Sequence, residues 1–144
     1  MRAIMRIQLI GIAVATLIAR DASAQSGVQH PPATAVGTWR GTSVCLVHPS
    51  PCNNEVVVYR ITRMKAADSL SLDARKIVRG EEQEMGVLAC RFIPVNRQVT
   101  CAIPRGLWDF RVRGDSLVGE LRLPDNTKFR DVRAIRASLR TETR

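Results

Sequence analysis

The chain has 144 residues, 45% hydrophobic, 4% aromatic and 24% charged, and 22 Lys and Arg against 13 Asp and Glu give a net charge of +9 at pH 7. That composition excludes a collagen-like, low-complexity or charge-dominated disordered chain, and the length leaves room for one hydrophobic core rather than two. Read from the start, residues 1–24 have the layout of an export signal. Arg2 and Arg6 form a basic head, residues 7–19 are apolar apart from Gln8, Gly11 and Thr16, and Ala22-Ser23-Ala24 offers small residues for cleavage before Gln25. The 13-residue apolar run falls short of the ~20 residues a spanning helix needs. With no cysteine at the cut, a lipid anchor is not expected. The trimmed protein is therefore expected to be periplasmic or secreted and not membrane-spanning. Cleavage removes Arg2, Arg6, Arg20 and Asp21 and lowers the net charge from +9 to +7. Export argues against nucleic acid as a partner for such a surface; a simply soluble, arginine-rich surface is the plainest reading, and a partner, if any, is an anionic envelope component such as lipopolysaccharide, anionic lipid or acidic polysaccharide, or an acidic protein.

Residues 25–34 are polar, carry Pro31-Pro32 and lack periodicity, which predicts a flexible N-terminal arm. From residue 35 to 137 the pattern is short alternating runs cut by turn residues, followed by a polar tail at 138–144. The runs cover 36–46, 55–64, 69–79, 85–93, 98–103, 107–113, 116–123 and 127–135. In the third, Leu70, Leu72, Ala74 and Val78 share a face. In the sixth, Trp108, Phe110 and Val112 oppose Asp109, Arg111 and Arg113. In the seventh, Leu117, Gly119, Leu121 and Leu123 oppose Glu120 and Arg122. Alternation breaks near Arg130-Asp131, where a bulge is expected. Ala66-Ala67-Asp68, Gly80-Glu81-Glu82, Val95-Asn96, Pro104-Arg105-Gly106, Gly114-Asp115 and Pro124-Asp125-Asn126 supply turn chemistry.

Roughly eight short strands with tight turns predict an all-β fold, an antiparallel up-and-down meander closed into a barrel; a two-sheet sandwich is the alternative. The outward faces carry too much charge for an outer-membrane barrel. Four cysteines in an exported domain predict two disulfides. Cys45 and Cys52 flank a short loop. A tight turn at Val95-Asn96 sets Phe92 opposite Val99 and Cys90 opposite Cys101, at a separation a disulfide spans.

Catalytic chemistry finds no foothold. His30 and His48 each adjoin proline and lack a nucleophile partner. No H-E-x-x-H, G-x-S-x-G or glycine-rich phosphate loop is present. The Glu81, Glu82 and Glu84 cluster reads as a solvated turn. No catalytic residue, metal ligand or cofactor is expected. Arg113-Gly114-Asp115-Ser116 has the letters of an adhesion tetrapeptide, but Gly-Asp is what a hairpin tip requires.

Gly37-Thr38-Trp39 opens the first strand, and a G-x-W leading a meander barrel resembles the calycin superfamily of lipocalins, avidin-like proteins and small exported bacterial barrels. The resemblance implies that Trp39 closes the barrel floor under an arginine of the last strand, Arg133 or Arg136. It also implies a non-catalytic binding protein whose interior holds a small apolar ligand. The cavity candidates on inward-facing positions are Trp39, Tyr59, Leu72, Leu88, Phe92, Trp108, Phe110 and Leu121, with Val57 and Leu70 beside them. So aliphatic a lining suits a lipid-like or terpenoid ligand. The same outline is similar to an exported bacterial family of metalloprotease inhibitors, in which the arm, here residues 25–34, enters the protease cleft. The alternative function is accordingly an envelope interaction protein, a protease inhibitor or a binder of anionic surfaces.

Overall fold

The computed structural model describes residues 31–138; the expected export signal, the arm before Pro31 and the tail after Ser138 lie outside the described residues. A 3-10 turn at Pro32–Thr34 leads into β1 (Gly37–Cys45), β2 (Glu55–Arg63), β3 (Ser69–Val78), β4 (Glu81–Ile93), β5 (Gln98–Ile103), β6 (Gly106–Arg113), β7 (Ser116–Arg122) and β8 (Lys128–Arg136). Each strand pairs antiparallel with its sequence neighbours, and β8 pairs back onto β1, so the meander closes into an eight-stranded barrel.

The period of two builds this wall. Trp39 of β1 sits opposite Tyr59 of β2, Tyr59 opposite Ala74 of β3, and Leu72 opposite Leu88 of β4. One inner face therefore runs around the barrel, and its apolar side chains form the core. The outer face is charged. Glu82 pairs with both Arg40 and Arg60, and Glu120 with Arg122 and Lys128. Val58 also points outward, between its ladder partners Arg40 and Arg75, and is nonetheless fully buried.

Both expected disulfides are formed, Cys45–Cys52 across the β1–β2 loop and Cys90–Cys101 between β4 and β5. Phe92 faces Val99 as the hairpin register requires. Three details differ from the sequence reading. β4 starts at Glu81, because Arg79-Gly80 alone makes the turn, with φ of 54° and 85°. Glu81 and Glu82 are thus strand residues rather than turn residues. The break in β8 falls one residue earlier than expected: Leu121 pairs with Arg130 and Arg122 with Lys128, so Phe129 is the extra residue. A second bulge, at Met85, has no counterpart in the expectations.

Candidate functional site

The barrel interior divides into a sealed half and a hollow half. At the sealed end, Trp39 donates its indole N–H to the Ala35 carbonyl at 2.9 Å. Arg136, not Arg133, stacks on the indole, its guanidinium carbon 4.2 Å from the ring centroid. The same guanidinium donates to the carbonyls of Val36 and Thr34, both at 2.7 Å, and pairs with Asp115 at 3.1 Å. Gly37 is dictated by this arrangement. Its φ is +139°, and a Cβ there would come within 2.6 Å of an Arg136 nitrogen. The carbonyls of Thr34, Ala35 and Val36 are thereby tied to the Trp39 and Arg136 side chains at this end of the barrel, and Ala35 is fully buried.

The hollow half lies toward the opposite end. A cavity of about 230 Å³ is lined by Tyr59 of β2, Leu72 and Ala74 of β3, and Met85, Gly86 and Leu88 of β4. Ile103 of β5 and Trp108 and Phe110 of β6 complete it. The aromatic wall is ordered: Trp108 and Phe110 stack with centroids 5.5 Å apart, and Tyr59 meets Phe110 edge-on at 5.6 Å. Phe110 can lie flat on β7 because its neighbour there is Gly119, where any Cβ would collide with the ring.

Of the eight cavity candidates, Tyr59, Leu72, Leu88, Trp108 and Phe110 converge on this hollow. Trp39 and Phe92 are fully buried elsewhere in the core, and Leu121 is buried on the inner face without lining the cavity.

Next to the Tyr59 side of the hollow lies a polar cluster that the sequence reading missed. Arg130 of β8 faces inward opposite Cys45 and Leu121. It donates to the Ser43 hydroxyl at 2.9 Å and to the Asn53 carbonyl at 2.9 Å, and stands 3.4 Å from the Glu55 carboxylate. Lys76 reaches the same carboxylate at 3.6 Å. Burial holds the Tyr59 phenol well above its ordinary range, with the Arg130 charge opposing it in part. A parity count from Val132 would have placed Arg130 inward; its charge hid it among the surface arginines.

Two shallow grooves cross the outer face of β6, β7, β8 and β1. One, of about 260 Å³, mixes Arg111, Arg113 and Lys128 with Asp109, Glu120 and Asp131, and the other, of about 460 Å³, includes Arg40, Val118, Arg133 and Ile135. Arg111 and Arg133 flank Val118 on adjacent strands. Neither they nor Arg113 takes part in an ion pair among the described residues. His48 lies in the Cys45–Cys52 loop against the Cys45 carbonyl at 3.2 Å. Among the described residues no set of three His, Cys, Asp or Glu converges as a metal site, and no helix is long and apolar enough to cross a membrane. Gly114-Asp115 forms the β6–β7 turn, with Asp115 tied to Arg136.

Comparison of the chain with models of known protein families and with curated protein sequences returns no match.

Proposed function

We propose that this is an exported, non-catalytic binding protein of calycin type, whose barrel holds a small apolar ligand. The observation that carries the reading is the hollow of about 230 Å³ walled by Tyr59, Leu72, Leu88, Trp108 and Phe110. The hollow is open to solvent beside β4, and apolar surface left against water forgoes hydrophobic stabilisation unless an apolar molecule covers it. Its volume lies below the usual range for drug-sized ligands, which favours a short alkyl chain or a single terpenoid ring system. The Gly37, Trp39 and Arg136 arrangement supports the calycin assignment, and two formed disulfides suit a periplasmic or secreted protein. Titrating purified protein with decanol and with a monoterpene alcohol tests the reading. A saturable rise in melting temperature is expected from binding to the folded state alone, and a melting temperature unmoved by either would reject it.

A second reading, capture of an anionic envelope component, is favoured by Arg111, Arg113 and Arg133, which stand around Val118 and form no ion pair among the described residues, although Asp109, Glu120 and Asp131 line the same groove as Arg111 and Arg113. Reversing Arg111 and Arg133 to Glu should then abolish salt-sensitive binding to lipopolysaccharide and leave the decanol response intact.

A further inference from the structure

The barrel wall is split beside the cavity. β4 and β5 share only three ladder pairs, Arg91 with Thr100, Phe92 with Val99 and Ile93 with Gln98. The Cys90–Cys101 disulfide, with a Cα separation of 4.3 Å, clips the pair where the ladder stops. Beyond it, from Ala89 back to Glu81, β4 pairs with β3 on one side and has no ladder partner on the other among the described residues. β5 ends two residues past Cys101, at Ile103, so the gap between the two strands is short and the rest of the β4 edge runs beyond the end of β5. Along the split, side chains that elsewhere would be sealed reach solvent: Leu88, Ile103 and Trp108 line the cavity and are only half-buried.

The outer face around the split is apolar as well, on β4 and on β6 one strand beyond β5. Met85 and Val87 on β4 are 40% and 59% exposed, and Leu107 on β6 is 43% exposed. Arg91 lies at the closed base of the split and Arg105 on the β5–β6 turn. Both are exposed, and neither takes part in an ion pair among the described residues. An added polypeptide strand is the occupant a bare sheet edge usually invites, but this edge is blunted against it. The bulge at Met85 breaks the hydrogen-bonding repeat, and Glu81, Glu82 and Glu84 follow it. What suits an apolar slot with apolar surroundings and flanking guanidiniums is a single alkyl chain attached to an anionic head.

We infer that the cavity is loaded sideways, through the β4–β5 split, with the distal part of an alkyl chain drawn from an anionic lipid surface. This rests on the apolar-ligand reading above and adds the route and the ligand class. Met85, Val87 and Leu107 touch the apolar layer, Arg91 and Arg105 hold the anionic heads, and the chain slides between Leu88 and Ile103 onto the Trp108 face.

The two tryptophans of the chain make a direct test. Trp108 lines the cavity, whereas Trp39 is sealed under Arg136. Purified protein is mixed with phosphatidylglycerol vesicles carrying brominated acyl chains, with matching phosphatidylcholine vesicles, and with soluble bromodecanoate. Bromine in the cavity quenches Trp108 and spares Trp39, and Trp108→Phe removes the responsive signal. Quenching by phosphatidylglycerol should outpace that by phosphatidylcholine. Val87→Glu with Leu107→Glu, both at exposed positions, should slow vesicle quenching by about tenfold or more, because charge enters an apolar layer at high cost. The same double variant should bind bromodecanoate as the wild type does. Vesicle quenching unchanged in that variant, or equal for the two lipids, would overturn sideways loading while the cavity reading stands. Failure of bromodecanoate to quench the wild type would remove the cavity reading itself.

Discussion

The Arg136 guanidinium lies face-on to the Trp39 indole, 4.2 Å from its centroid, and joins the last strand to the first through one side chain. Its nitrogens also satisfy the Val36 and Thr34 carbonyls. A desolvated cation–π contact is worth about 2 kcal/mol and a charged hydrogen bond about 1.5–3 kcal/mol. Arg136→Ala should therefore lower unfolding free energy by about 3 kcal/mol, and Arg136→Lys should recover only part of it, since an ammonium cannot reach both carbonyls in one plane. Urea titration of the two variants measures this directly.

Filling the hollow separates stability from function. Ala74 is buried on the cavity wall opposite Tyr59. Ala74→Leu places new methyl groups into empty apolar space rather than into packed atoms. Stability should hold or rise by about 0.5–1 kcal/mol, as cavity-filling changes commonly do. The melting-temperature response to decanol should vanish in the same variant. A loss of stability together with retained ligand response would mean that the space is not where the ligand sits.

Alkaline pH should expose the burial of Tyr59. Desolvation raises its pKa above the ordinary 10.0, so the folded state keeps its proton where the unfolded chain releases it. The stabilisation is complete below pH 10.0 and is lost as pH rises from there toward the higher folded value. The slope is at most about 1.4 kcal/mol per pH unit for one proton. Tyr59→Phe carries no ionisable group and should flatten that limb of a stability–pH curve measured by denaturant.

The two disulfides should differ in consequence more than in energy. Chain-entropy estimates give about 2.5–3 kcal/mol for loops of either length. Cys45–Cys52 closes a loop at the barrel end, whereas Cys90–Cys101 holds two strands that share three ladder pairs beside the cavity. Cys90→Ser with Cys101→Ser should speed amide exchange along β4 and β5 and weaken ligand binding. Cys45→Ser with Cys52→Ser should confine its exchange effect to the β1–β2 loop.

Strand order, the facing of Phe92 and Val99, both disulfides and the inward set were legible because a period of two and a tight turn fix register locally. The sequence could not divide those inward residues between the sealed and hollow halves. Phe92 and Phe110 read alike along the chain, yet one is in the packed core and the other walls the cavity, because the split between β4 and β5 is a property of ladder length. Glu81 and Glu82 read as a turn because carboxylates are common there, while Arg79-Gly80 had already reversed the chain. Arg130 and Glu55 were hidden for a related reason: charge argued for the surface, while their pairing with each other, with Lys76 and with Ser43 and Asn53 lets them face the barrel interior.

Native mass spectrometry of the protein recovered from cells tests the central claim most directly. A binding barrel should carry a single small apolar adduct that collisional activation removes and that Ala74→Leu lacks. Bare protein at its sequence mass, unchanged after incubation with alkyl and terpenoid ligands, would contradict it.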